Sequence, residues 1–425
     1  MVLNGKLDFK KALVGDGGRF FFLFSFGTLL CIFGMTRDSM PVILSGLWRI
    51  AAEPDYLVTD YIEVGGMGAA FVNSGLLVLL FTGILALMKV RVRGISIAAV
   101  FIVSGFALFG KNLLNVWFIL GGVWLYAKVH GEPFFQYVYI AFFGTSLAPI
   151  VSQIMFGIDL PVVVRIALGA AAGLGAGFVL PPLAAALLPV HHGFNLYNMG
   201  FTSGMVGTIT VSLFKSHGFV VERRMIWSTG NDTLLASLLV VLCVSLITVG
   251  FRLNGRSAAG LSPMWRQSGK LIADFVDMFD FPPTMMNMGL NGLIGIAYLL
   301  LARCDFNGPT IGGIFTIMGF SAMGKTPRTI VPVMLGTVLG GLTKTWSLTD
   351  PVVQLTALFS TTLAPIAGGF GWWAGVIAGY VHSSVVLYVG VLHSGFNLYN
   401  NGFAGGLVAA VLVPLLEAFR RRSQR

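Results

Sequence analysis

Charge is what this sequence has least of. Only 10% of its 425 residues are Asp, Glu, Lys or Arg, where a water-soluble domain carries about 25%. A chain so poor in charge cannot coat a surface facing water, which excludes a soluble module and implies an integral membrane protein. Cysteine is equally scarce. Cys31, Cys243 and Cys304 stand far apart in or beside apolar runs, so neither a disulfide framework nor a metal site is indicated, and no cofactor is called for. No Asp or Glu falls in the middle of an apolar run: Glu132, Asp159, Asp305, Asp350 and Glu417 all lie at ends. Proton- or cation-coupled carriers usually need buried carboxylates, so this absence favours a neutral polar solute, or an anion. Also missing are His-Glu-x-x-His, Cys-x-x-Cys and a nucleotide-binding glycine loop ahead of a strand. The formal charge of +10 comes from short basic clusters scattered between apolar runs. That is the pattern of cytoplasmic loops and anionic headgroup contacts, and it gives no support to a nucleic-acid partner.

What is abundant is apolar: 56% of residues are hydrophobic, with 55 Gly and 35 Phe. Several runs approach or exceed the roughly 20 residues that cross a bilayer core of about 30 Å. The first, 20–36, follows a basic start (Lys6, Lys10, Lys11) without a small-residue cleavage pattern, and reads as an uncleaved span. Residues 1–65 comprise this span, a short piece at 41–51 and an acidic loop with Glu53, Asp55, Asp60 and Glu63. Apolar segments follow near 66–88, 94–110, 112–129, 134–156, 161–188 and 190–214, then a linking span at 233–251 and a charged interfacial stretch with Arg252, Arg256, Arg266 and Lys270. Six more lie near 282–302, 308–324, 326–343, 350–367, 371–392 and 395–418, before the basic tail 419–425.

The chain writes one stretch twice. His191 to Val206 (HHGFNLYNMGFTSGMV) and His393 to Val408 (HSGFNLYNNGFAGGLV) agree at eleven of sixteen positions. Self-similarity of this kind makes the protein a duplicated object, and it extends further. At an offset of 214, Asn73, Gly75, Gly105, Phe106 and Lys111 pair with Asn287, Gly289, Gly319, Phe320 and Lys325; at 216, Phe143, Thr145 and Leu147-Ala-Pro-Ile150 pair with Phe359, Thr361 and Leu363-Ala-Pro-Ile366. The expected architecture is an all-α polytopic membrane protein with two repeats, 66–214 and 281–418, of about six apolar segments each, joined by 215–280. Lys89, Arg91, Arg93 and the Arg252 to Lys270 cluster fall on one side if the N-terminus is cytoplasmic, as positive-inside requires. By parity the repeats are then inverted and both termini are cytoplasmic. Lys215, Arg223 and Arg224 in the outside loop 215–232, against Glu222 and Asp232, are the exception. Segments 94–110 and 308–324, short and rich in Gly, are candidates for re-entrant or broken helices.

Inverted repeats place a solute site near the midplane between them. On a helix, His191, Asn195, Asn198 and Thr202 form one polar stripe, repeated by His393, Asn397 and Asn400 and ended by Ala404. Such groups in hydrocarbon need partners, and two readings stay open: a solute-lining surface, or interhelical glue, which Gly200-x-x-x-Gly204 and Gly402-x-x-x-Gly406 support through close helix contact. A third geometry is a break at His-x-Gly-Phe-Asn with Asn195 or Asn397 capping a half-helix. Lys111, Lys325, Thr145, Thr361, Asn73 and Asn287 are secondary candidates, the lysines either snorkelling at helix ends or holding an anion. His191, His192 and His393 are candidates for proton coupling or for packing.

The whole chain resembles a bacterial multispanning family of unknown function marked by the doubled Gly-Phe-Asn-Leu-Tyr-Asn motif. More distantly, Cys304-Asp-Phe-Asn307-Gly-Pro309-Thr310-Ile-Gly312-Gly313 is similar to the second-half Asn-Pro-x-Thr-Gly-Gly region of urea transporters, and Phe71-Val-Asn73-Ser74-Gly75 resembles their first-half segment without its Pro. That resemblance implies an inverted-repeat channel for a small amide-like solute. The reading is therefore a channel or uniporter for a small polar, neutral solute in the cell membrane, with the bilayer as partner and a homo-oligomer left open. The runner-up is a proton-coupled carrier using intramembrane His. A membrane enzyme, with Ser203 as nucleophile and His191 as base, is the remote alternative.

Overall fold

A computed structural model describes residues 14–219 and 224–423. Of the charged residues that orient the chain, Lys6, Lys10, Lys11, Glu222, Arg223 and Arg425 lie outside the described residues. Nine helices among the described residues are long and apolar enough to cross a membrane, and the chain is a polytopic all-α membrane protein. The strands are two residues each, Val58–Thr59 paired in parallel with Met225–Ile226.

Helices of seven or more residues are numbered in order. The first half holds α1 (Asp16–Arg37), α2 (Met40–Ala52), α3 (Met67–Leu87), α4 (Gly94–Phe106), α5 (Val116–Val129), α6 (Val138–Gly144), α7 (Ala148–Phe156), α8 (Val162–Leu187) and α9 (Asn198–Ser216). The second holds α10 (Asp232–Leu253), α11 (Phe281–Leu301), α12 (Gly308–Phe320), α13 (Pro327–Thr343), α14 (Pro351–Phe359), α15 (Ala364–Phe370), α16 (Trp372–Val389) and α17 (Asn400–Ser423). Helix α10 is more than a linker. It packs along α11 as α1 packs along α3, glycine against backbone in both pairs: Gly75 on Gly27 and Cys31, Gly289 on Cys243. Each repeat thereby gains a helix at its start.

The inversion is visible where the repeats touch. Helices α4 and α12, equivalent by sequence, lie side by side and antiparallel: Gly94 faces the Ala322 carbonyl, Gly105 the backbone of Gly312, and Gly308 the Leu108 carbonyl. Each is only 13 residues, about 20 Å at 1.5 Å per residue. Their N-termini are capped by acids from the opposite repeat. Asp274 accepts from the Gly94 and Ile95 amides at 3.0 and 3.4 Å, and Asp60 accepts from Gly308 and from the Ser228 amide. A carboxylate at a helix N-terminus satisfies orphan N–H groups and complements the dipole. Stacked phenylalanines, Phe26 on Phe101 at 4.4 Å and edge-on to Phe315 at 5.3 Å, fill the space between α1 and this pair.

The loops collect on two faces. Arg91 and Arg93 share one with the 252–277 stretch, where Arg93 pairs with Asp277 at 3.3 Å; the opposite face carries Glu53, paired with Arg224 at 3.3 Å. They are called the basic and the acidic face below.

Candidate functional site

Four interruptions of helical structure meet between the repeats. Two are 3-10 turns, Thr145–Leu147 between α6 and α7 and Ser360–Leu363 between α14 and α15. The other two are the doubled motif itself. The expected continuous segments from 190 and 395 are unwound over 192–197 and 394–399, and the helices start only at Asn198 and Asn400. Left-handed backbone at His192 (φ 53°) and Gly193 (φ 76°), matched by Ser394 (φ 45°) and Gly395 (φ 88°), turns the chain out of the helix. Gly suits that region because it lacks a Cβ. The freed amides are met across the interface: Leu196 N–H donates to Thr362 O at 3.0 Å, and Leu398 N–H to Ser146 O at 2.9 Å. Irregular backbone at membrane depth is tolerated only inside protein or beside a cavity. Immediately beyond, α9 and α17 cross at Gly200 and Gly402, where a Cβ on either would lie 2.9 Å from the other's Cα.

This break corrects the single helical stripe. Its residues are buried, Asn198 only partly, and serve different partners. Asn195 and Asn397 reach across the crossing, donating to Gly402 O at 2.9 Å and Gly200 O at 3.0 Å, while their side-chain oxygens accept from the amides of Tyr197 and Tyr399. His191 and His393 pair within their own repeats with Asn198 (2.8 Å) and Asn400 (2.9 Å), which donate back to Ala184 O and Val386 O. Thr202 bonds its own helix at Asn198 O. Asn73 and Asn287 hold the ends of α4 and α12 through the carbonyls of Ala107 and Lys111, and of Ser321 and Lys325. Thr145 bonds Phe142 O. Ser203 is joined to Ser146 at 2.7 Å rather than to His191.

Lys111 and Lys325 do not snorkel. Both are fully buried just past the C-termini of α4 and α12. Lys111 Nζ donates to the Tyr399 hydroxyl at 2.5 Å, and Lys325 Nζ donates to the Tyr197 hydroxyl and to Thr361 Oγ1 at 2.8 Å. Each ammonium also stands 5.5 or 5.4 Å from a phenylalanine ring, Phe106 or Phe320. Among the described residues neither has a carboxylate within 4.0 Å. Burying a charge without a counter-charge costs several kcal/mol. Helix C-termini, each worth roughly half a negative charge, offset part of it.

Tyr197 and Tyr399 end a cavity of about 320 Å³ that opens on the basic face between Ala184, Leu188, Leu271 and Ile272, and reaches Phe143, Leu196, Met199, Gly200 and Phe320. The equivalent residues on the acidic side tell a different story. Phe359, Leu398, Asn401, Gly402 and Phe106, again with both tyrosines, enclose about 10 Å³, while Val386, Gly390, Leu57 and Val58 line a separate surface vestibule of about 240 Å³. One passage is open to the centre and its pseudo-symmetric image is shut. Of the residues named from sequence, Asn198 lines the open cavity and Asn400 the outer vestibule.

The two tyrosines and a further pair went unnoticed in sequence. His382, buried in α16, meets Asn401 at 3.0 Å and leaves Nδ1 without a partner. The tyrosines carried a signal, being identical in both motifs and able to present an apolar body with a polar tip. His382 carried none, because its equivalent is Leu180.

No curated protein and no solved structure matches the chain. A family model matches it in two stretches, residues 39–216 and 253–418, one in each repeat, and the chain therefore belongs to the family described as protein of unknown function, DUF1576.

Proposed function

We propose that the protein is a uniporter-type carrier that moves a small polar solute across the cell membrane by alternating access, the basic face and both termini being cytoplasmic. One observation carries this reading: sequence-equivalent residues line an open cavity on one side of the tyrosine pair and a collapsed gap on the other. A static channel would need both at once. In inverted-repeat transporters the two halves can exchange conformations, which converts one open face into the other. Proton coupling is a second reading, favoured by His382, whose partner Asn401 lines the shut gap.

Mutually exclusive labelling tests it. With Cys31, Cys243 and Cys304 replaced, cysteines are placed at the equivalent positions Met199 and Asn401. A bulky impermeant maleimide on Met199→Cys, applied from the basic face, wedges that face open and should protect Asn401→Cys from reagent on the other side. Independent labelling of the two sites overturns the carrier in favour of a pore.

A further inference from the structure

The lysine pair defines the chemistry of the solute, on the reading that the central cavity is a transport site. We propose that the solute is a small organic monoanion, a carboxylate on an apolar body, held by the Tyr197 and Tyr399 hydroxyls with Lys111 and Lys325 behind them as counter-charges.

The hydrogen-bond inventory leads there. A phenol has one proton to give. Each tyrosine oxygen is already occupied by an ammonium donor, so the proton is what it offers to a third group, and among the described residues no acceptor meets that of Tyr399. Both tyrosines line the open cavity. An O–H whose oxygen accepts from a cation is polarised, and it bonds an anion more strongly than a neutral acceptor. The Tyr399 proton is free, and that of Tyr197, whose hydroxyl also meets Thr361, can turn from Thr361 to the ligand, so that the two donors match the two oxygens of a carboxylate.

The local charge sets the valence. Among the described residues neither lysine has a carboxylate within 4.0 Å, and a carboxylate in the cavity would supply a counter-charge to the protonated form of each. A phosphate brings more charge and more oxygens than two phenols can satisfy, and would leave them desolvated. Apart from Asn198 and Tyr139 the rest of the wall is apolar, with Ile95, Ile102, Phe143 and Met323 among it, which suits an aliphatic or aromatic body. A neutral amide solute, the expectation from sequence, leaves the two buried cations without a role.

The full-length protein, purified in detergent and reconstituted in liposomes, is tested with butyrate and benzoate, with butyramide and benzamide as neutral isosteres, and with inorganic phosphate. Carboxylates are expected to raise the melting temperature and to enter the liposomes; the amides and phosphate are not. Tyr197→Phe and Tyr399→Phe keep the rings but take one acceptor from each buried lysine, so they should melt below the unliganded wild type; in folded protein each should weaken carboxylate binding roughly ten- to hundredfold, the worth of a hydrogen bond to a charged group. Lys111→Met and Lys325→Met should abolish the carboxylate response, and where these fail to fold the tyrosine variants decide. Preference for amides, no response of folded wild type to either carboxylate, or unchanged binding in both tyrosine variants overturns the proposal. Amide uptake with exclusive labelling sinks the anion and spares the carrier; carboxylate binding with independent labelling does the reverse.

Discussion

The two repeats agree most closely where they meet and diverge toward the faces. At the centre each feature has its image: Lys111 to Tyr399 and Lys325 to Tyr197, Asn195 to Gly402 and Asn397 to Gly200, Asp274 on Gly94 and Asp60 on Gly308. A step away the copies part. Ser146 meets Ser203 in one half, whereas in the other the larger Thr362 meets Gly405, where an added Cβ would lie 2.7 Å from its methyl. His382 with Asn401 replaces Leu180 with Met199, and buried Asp55 stands where the second repeat has Gly269. An inverted pair with identical halves would place its two access states at equal energy. On the alternating-access proposal, the shared centre would be the pivot and the differing flanks would decide which side lies open.

Overfilling the crossing tests the symmetry of the centre directly. Gly200→Ala and Gly402→Ala each drive a methyl into the facing backbone and should each destabilise by about 1–3 kcal/mol, with equal falls in detergent melting temperature. Gly175→Ala on α8, with nothing within 4 Å, is the control. Unequal effects at the two crossing glycines would mean that the centre is less symmetric than its contacts.

A smaller effect is expected from making the second repeat resemble the first. His382→Leu with Asn401→Met deletes the 3.0 Å contact on the shut side. One hydrogen bond is worth about 0.5–1.5 kcal/mol, so the balance between open faces should move by a few-fold, read as the ratio of maleimide labelling at Ala184→Cys and Val386→Cys. No change in that ratio removes this pair from the gate.

A pH dependence is expected from Asp55, outside the spanning helices. Burial pushes its carboxyl up to about 8, against hydrogen bonds from Ser152, Tyr61 and Asn115 that pull it down. An unfolded Asp titrates near 3.9. Between about pH 4 and 8 the folded state thus holds the extra proton, and stability falls as pH rises. Wild type should melt lower at pH 8 than at pH 5, and Asp55→Asn should show a smaller difference. An identical pH profile in the variant would rule out this proton.

Segment positions, the duplication and the inversion were legible because hydropathy, repeated residues and basic clusters are local properties of the string. The motif's conformation was not. His191, Asn195, Asn198 and Thr202 have helical spacing whether or not the backbone is helical, and only the left-handed turn at His192 and Gly193 decides against it. The pairing of α10 with α1 was hidden because their packing is equivalent while their sequences share no motif. Lys111 and Lys325 were visible as a pair, but their partners sit 288 and 128 residues away, a distance that only tertiary structure closes.

The exchanged caps have a consequence for biosynthesis. Asp274 completes a helix that begins at Gly94, so the first repeat leaves the ribosome with the amides at the start of α4 unmet until some 180 further residues have been made. Asp60, synthesised early, waits in turn for Gly308. Neither half is a finished folding unit, and the quality of the whole is checked only when the second half has inserted, upside down, beside the first.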